Sequence, residues 1–232
     1  MKIKKICLPL ACVVLTINIF AVLFQVDWLQ EVSRLFFFVL PLILFSQQLS
    51  FSNQNILSFV FVFFMAELIL FVPGSWYFNG LRLLLLVAGY FLLSREALRF
   101  TKKIRSNNFV LLFGGFLLCI NGYLFTLHLL NIKGHSGSTT ELSIYALYYF
   151  SLLLLAVVAL LYYTNSYSRK SVFFVALVLA IIFADIFEKM QQMYLLDLGI
   201  KLVENILHFA TAMFIFYFFT TKEKKLNLRN FL

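Results

Sequence analysis

Four polar residues follow a long apolar run and have the spacing of a single helix face. They are Asp185, Glu188, Lys189 and Gln192, at positions i, i+3, i+4 and i+7. An acidic side chain flanked by so much apolar sequence is costly in lipid, so it usually faces the interior of a helix bundle and a partner. Paired carboxyl groups in such a site can act as proton donor and ionised carboxylate. Asp185 is therefore a candidate catalytic residue that needs a partner from another segment.

The composition defines the kind of protein that must position these residues. Of the 232 residues, 62% are hydrophobic and only 12% are charged, which a soluble domain of this size does not show. Apolar runs long enough to cross a bilayer recur along the chain, and in lipid such runs form helices. The net charge of +9 lies in short connections and tails, where basic residues orient membrane helices, so we predict no nucleic-acid partner.

The apolar runs predict an all-α membrane protein, a single domain over residues 1–232 built as a bundle of eight transmembrane helices. The predicted helices cover about residues 6–24, 35–47, 56–72, 78–93, 109–130, 142–163, 171–192 and 195–219. The second helix could begin earlier, near Trp28. Gly115, Cys119, Gly122 and Thr126 form a stripe of small residues on the fifth helix, which favours close helix packing.

The distribution of basic residues between the two sides of the membrane tests the predicted number of helices. With eight crossings, 14 of the 19 Lys and Arg residues lie on the side that holds both termini. This distribution obeys the positive-inside rule, so we predict that both termini are cytoplasmic. The loop-poor chain, rich in Lys and Phe, suggests the inner membrane of a bacterium.

The predicted topology places the polar residues of several helices in the outer half of the membrane. They are Glu67 on the third helix, Arg82 on the fourth, Asn121 on the fifth, Asp185 and Lys189 on the seventh, and Lys201, Glu204 and His208 on the eighth. This segregation predicts a shared cavity that opens outward. The alternative is a structural ion-pair network that fixes helix register, although short acidic side chains such as Glu67 and Asp185 reach the interface poorly.

Other kinds of site find little support in the sequence. The chain has three histidines and contains neither HxxxH nor HExxH, so no metal site is predicted. No GxSxG sequence and no glycine-rich phosphate loop occur, and no cofactor is predicted. The remaining possibilities for the polar residues are catalysis by carboxyl groups and ligand binding without catalysis.

Three features together resemble a known family. They are eight apolar helices in this length, the acidic residue of Ala66-Glu67-Leu68 in the third helix, and Phe183-Ala184-Asp185 in the seventh. In these the chain resembles the YhhN/TMEM86 family of lysoplasmalogenase-like membrane proteins. The resemblance implies a lysolipid substrate among the membrane lipids and hydrolysis of its vinyl-ether bond.

The resemblance leads to a specific hypothesis about the residues. Glu67 and Asp185 would be the catalytic pair, one protonated and the other ionised. Arg82, Lys189 or Lys201 would hold the phosphate of the head group, and Asn121, Glu204 and His208 would line the binding site. The alternative is a non-catalytic protein of the same fold that binds lipid or transports a small molecule. Neither hypothesis specifies an oligomeric state.

Overall fold

The chain is almost entirely helical in the part that the computed structural model describes, residues 2–45, 54–72, 76–101, 108–135, 139–193 and 198–224. Eight helices occur in these residues, in agreement with the predicted number. They are α1 Lys2–Leu23, α2 Asp27–Phe45, α3 Gln54–Ile69, α4 Trp76–Arg99, α5 Asn108–His135, α6 Thr139–Ser166, α7 Arg169–Met193 and α8 Leu198–Thr220.

Four of the described helical segments are long and apolar enough to cross a membrane: Trp76–Arg99, Thr139–Ser166, Arg169–Glu188 and Leu198–Thr220. Large apolar side chains also face outward, among them Leu112 (74% exposed), Phe61 (60%) and Phe150 (60%). Contiguous exposed apolar surface is unfavourable in water and suits hydrocarbon. The protein is therefore a helical membrane protein.

Most helix boundaries differ by a few residues from those predicted, and the largest differences are at the start of α2 and the ends of α4 and α5. α2 begins at Asp27, before the predicted start at residue 35 and next to the alternative start near Trp28, because Asp27, Gln30 and Arg34 are polar residues of the helix and not of a loop. α4 continues to Arg99 and α5 to His135, where loops were predicted. At all three boundaries charged or polar residues extend a helix beyond its apolar run, so hydrophobicity alone makes the predicted helix too short.

The first of two compact units comprises residues 1–50 and 176–222, which hold α1, α2, most of α7 and α8. Within it α1 packs on α2, and α8 packs on both. Phe37 of α2 meets Phe209 of α8 edge to face, with ring centroids 5.2 Å apart, an arrangement that aromatic rings favour. Deeply buried residues of α8 such as Ile215 and Phe216 complete this core.

The turn between α1 and α2 is set by Gln25, which adopts a left-handed conformation with φ of 55°. The Val26 amide donates to the Ala21 carbonyl at 2.9 Å and the Gln25 amide to the Val22 carbonyl at 3.2 Å. These two bonds are the Schellman arrangement that closes the carbonyl end of a helix. The chain therefore reverses over three residues, which brings α2 back along α1.

The second unit comprises residues 51–175 and 223–232. In it α4 packs on α3 and α6, and α5 packs on α6. Its core is unusually rich in tyrosine: Tyr90, Tyr145, Tyr148 and Tyr149 are each less than a tenth exposed. The Tyr145 hydroxyl accepts a hydrogen bond of 2.9 Å from Asn79, which satisfies a polar group inside an otherwise apolar core.

The predicted small-residue stripe on α5 is not the face of closest packing. A Cβ atom placed on Gly114 would come within 2.9 Å of Leu160 on α6, whereas one on Gly115 would meet nothing within 4 Å. Cys119 is exposed, and Thr126 is exposed and donates to its own helix at Gly122. Gly122, the other glycine of the predicted stripe, does face α6, since a Cβ there would lie 4.0 Å from Leu153. The closest contact is nevertheless at Gly114, one residue or about 100° of helix rotation from the predicted Gly115.

α7 begins with a reciprocal cap. The Ser171 amide donates to Ser168 Oγ at 3.0 Å, and the Ser168 amide donates to Ser171 Oγ at 3.1 Å. Two amides that a helix start leaves without partners are thereby satisfied. Tyr167, with φ of 43°, makes the sharp connection from α6 that precedes this cap.

Candidate functional site

The first unit contains a buried cluster of charged residues on α2 and α8. Arg34 Nη1 donates to Glu204 Oε1 at 3.1 Å, and Arg34 Nη2 lies 2.8 Å from His208 Nε2. The side chains of Arg34 and Glu204 are 12% and 3% exposed. A buried charge of either sign requires such a partner, so the guanidinium links the two helices at a defined register.

The position of Arg34 identifies the form of His208. A guanidinium has only donors, so His208 Nε2 must be the acceptor, and the ring is neutral with its proton on Nδ1. The 3.7 Å separation of His208 Nε2 and Glu204 Oε1 is therefore a contact and not an ion pair. His208 presents the unprotonated nitrogen of a neutral imidazole to the cluster.

A residue of α7 completes the group. Ligand atoms of Glu188, Glu204 and His208 all lie within 4.8 Å of one another. With Arg34 these residues are called the Arg34 cluster below. Asp185, also buried, stands three residues before Glu188 on the same face of α7. The side chains of Lys189 and Gln192 lie outside the described residues.

A second polar group in the same unit joins α1, α2 and α8. Asn18 Nδ2 donates to Ser33 Oγ at 2.7 Å and to the Gln30 carbonyl at 3.3 Å. Gln30 Nε2 in turn donates to Asn205 Oδ1 at 3.5 Å. Asn18, Gln30, Ser33 and Asn205 are all buried, so α2 presents polar residues to both of its neighbours.

Lys201 and Asp27 lie at the start of α8 and of α2. Lys201 Nζ donates to Asp27 Oδ1 at 3.3 Å, with side chains 24% and 79% exposed. A pair this exposed contributes little to stability. Of the three polar residues predicted on α8, Glu204 and His208 lie in the interior, and Lys201 lies at the more exposed start of the helix. Asn205, next to Glu204, is also buried.

The remaining predicted residues belong to the second unit. Glu67 of α3 and Arg82 of α4 are buried, and Asn121 of α5 is half-buried. Asp185 belongs to the first unit. The pairing of Glu67 with Asp185 therefore stays a prediction.

Sequence reasoning missed a buried acidic residue, Glu96, at the end of α4. Arg99 Nη1 and Asn55 Nδ2 donate to Glu96 Oε2 at 3.1 and 3.3 Å. Nearby, Lys170 Nζ lies 3.9 Å from the centre of the Phe100 ring, a cation–π contact. Glu96 was overlooked because it stands among Arg95, Arg99 and the basic residues that follow, which resemble a loop.

Glu223 makes a further contact within the second unit. Its carboxylate accepts hydrogen bonds from the hydroxyls of Tyr162 and Ser166 near the end of α6. Both donors are buried, and a buried hydroxyl left without a partner would be destabilising.

Arg34 was also missed as a site residue. It stands one residue before the predicted start of the second helix at residue 35, yet it contacts two residues of α8. Two signals could have indicated it: Asn18 interrupts an apolar run, and Gln30, Ser33 and Arg34 share one helix face.

No known protein family, curated protein or solved structure matches this chain. The chemistry of the site therefore has to be argued from its own residues.

Proposed function

We propose that this protein is an integral membrane hydrolase, similar to lysoplasmalogenases, that cleaves the vinyl-ether bond of a lysolipid. The observation that supports the proposal most is the Arg34 cluster. It holds two carboxylates, a neutral imidazole and a guanidinium in the interior of a largely apolar helical unit. Groups of this kind in an apolar site are typical of acid–base catalysis.

The reaction requires a proton donor, a carboxylate and water. A proton adds to the β-carbon of the vinyl ether, which gives an oxocarbenium ion. Water attacks the carbon next to the ether oxygen and loses a proton, and the resulting hemiacetal breaks into a fatty aldehyde and the free alcohol of the glycerophospho-base. One water is consumed, and the catalytic proton is returned. An ionised carboxylate stabilises the cation and orients the water.

The residues of the first unit are suited to these roles. Asp185, buried on α7 one turn before Glu188, is the proposed proton donor. Glu204, held by Arg34 at 3.1 Å, is the proposed carboxylate that faces the developing positive charge. Glu67 remains the partner that the sequence predicts for Asp185. Lys201, at the more exposed start of α8, is proposed to attract the phosphate of the head group.

The proposal includes a topology and a location. All eight helices cross the membrane, both termini are cytoplasmic, and the protein resides in the inner membrane of a bacterium. The support is the distribution of basic residues.

The test is turnover by the purified full-length protein. The wild-type protein is expected to release aldehyde from a lysoplasmalogen and to leave a saturated lysolipid intact. Asp185→Asn should lower kcat by about 100-fold or more, because a general acid contributes about 10²–10⁴ to the rate. Glu141→Gln, a half-buried carboxylate on α6, serves as the control. Turnover by Asp185→Asn within a few-fold of wild type would refute the assignment, and no turnover by folded wild-type protein would refute the function.

One observation favours the non-catalytic alternative. Arg34 and Glu204 already form a charge pair, as in a network that fixes helix register. A protein that only binds lysolipid would show saturable binding of a lysoplasmalogen, equal binding of the saturated analogue and no aldehyde.

A further inference from the structure

We propose that Glu188, Glu204 and His208 form a binding site for a divalent transition-metal cation of the zinc type, and that Arg34 competes with the metal for the same lone pairs. The inference uses the same cluster as the proposed function, but it does not depend on turnover. The donor set is two carboxylates and one imidazole, which are common zinc ligands.

The distances fit a metal with little movement. Two ligands about 2.1 Å from a tetrahedral zinc ion are about 3.4 Å from each other. Glu204 Oε1 and His208 Nε2 are 3.7 Å apart, and the Glu188 ligand atom lies within 4.8 Å of both. A movement of about an ångström, by a shift of α7 or by rotation about one side-chain torsion, brings all three ligand atoms to bonding distance from a common metal ion.

The sequence spacing supports the same geometry. Glu204 and His208 stand four residues apart on α8, so their side chains point to the same side of one helix. Two ligands at this spacing form the rigid half of many helical metal sites. A search for paired histidines misses it, because a glutamate takes the place of the first histidine.

His208 is in the protonation state that binds metal ions. Its Nε2 accepts from Arg34 and is therefore unprotonated, and metal ligands must be deprotonated. The guanidinium thus shows that this set of lone pairs already attracts a cation. A metal that binds there must displace Arg34 from Nε2 of His208, because that nitrogen has a single lone pair, and it competes with Arg34 for the negative charge of Glu204.

Thr211 provides a second, independent observation. Its side chain is 3% exposed, and Oγ1 has no hydrogen-bond partner among the described residues. It follows His208 by three residues and Glu204 by seven, so all three share one face of α8. A buried hydroxyl at this position is suited to form a hydrogen bond with a ligand at the fourth coordination position of the metal.

Three protein ligands with an open fourth position are the pattern of a catalytic zinc site. A metal in this place would lower the pKa of its bound water.

The experiment measures zinc binding by the full-length protein in detergent after treatment with a chelator, using equilibrium dialysis and metal analysis. Wild type is expected to bind one equivalent. Glu188→Gln and His208→Ala should each bind at least tenfold more weakly, and Arg34→Gln at least tenfold more tightly. Glu141→Gln and His135→Ala, both in the second unit, are the matched controls and should bind as wild type does.

Cobalt provides a readout that does not depend on the variants. Wild-type protein loaded with Co²⁺ should show the visible absorption of a tetrahedral ion, and zinc should remove it. Failure of wild-type protein to bind zinc would overturn the proposal, as would binding that survives both Glu188→Gln and His208→Ala. Equal zinc affinity in the wild type and in Arg34→Gln would overturn the proposed competition between Arg34 and the metal. Binding without turnover would overturn the proposed hydrolysis and leave the metal site standing.

Discussion

Removal of Arg34 tests whether the Arg34 cluster stabilises the fold by pairing a buried charge. In metal-free protein, Arg34→Met leaves Glu204, only 3% exposed, without its 3.1 Å partner and removes the donor to His208. Removal of one partner of a buried pair costs about 3–5 kcal/mol. For a chain of this length that corresponds to a fall in Tm of about 6–20 °C.

The partner variant and the double variant separate pairing from packing. Glu204→Gln should destabilise by a similar amount, because it leaves the guanidinium buried without its carboxylate. Arg34→Met combined with Glu204→Gln leaves neither charge, so the double variant should be more stable than the sum of the single losses by about 2 kcal/mol. Thermal unfolding in one detergent, followed by intrinsic fluorescence with a chelator present, measures all four proteins.

Lys201 and Asp27 provide a matched control on the same two helices. Their pair is 3.3 Å long but Asp27 is 79% exposed, so Lys201→Met should change stability by less than about 1 kcal/mol. The reasoning is refuted if Arg34→Met costs no more than Lys201→Met, or if the losses in the double variant are additive.

Two further predictions concern topology and capping. A green fluorescent protein fused after Leu232 should fluoresce in bacteria and alkaline phosphatase fused there should be inactive, because the C-terminus is proposed to be cytoplasmic. The opposite pair of results would contradict the proposed cytoplasmic location of the C-terminus. Ser168→Ala removes the side-chain acceptor at the start of α7 and should lower the free energy of unfolding by about 1 kcal/mol. Ser143→Ala, on the exposed face of α6, should be nearly neutral in the same unfolding assay.

Much of the fold follows from hydrophobicity. The apolar runs predicted the helical class and the number of helices, because a run long enough for a bilayer has no alternative to a helix. Hydrophobicity could not place ends such as Arg99 and His135, since charged residues that close a helix have the same composition as a loop. The face of α5 that packs was missed because Gly114 and Gly115 are equivalent in composition and differ only in rotation about the helix axis.

The candidate site was predicted in part. The spacing of Glu204 and His208 on α8 indicated a polar face, and both lie in the Arg34 cluster. Arg34 was not predicted as a site residue because partners 170 positions apart leave no local pattern. The proposed pairing of Glu67 and Asp185 depends likewise on contacts between distant segments, which periodicity within one helix does not specify.

The distance along the chain between Arg34 and Glu204 has a consequence for biosynthesis. A ribosome that adds about 5–20 residues per second needs about 9–34 s to make the 170 residues between them. During this time the α1–α2 hairpin holds the Arg34 guanidinium and the Gln30 amide, whose partners on α8 have not been made, and a charge exposed to hydrocarbon is costly. We therefore expect the hairpin to keep Arg34 in water, among lipid head groups or with an insertion factor until α8 arrives. Chains that end before residue 204 should remain bound to that machinery.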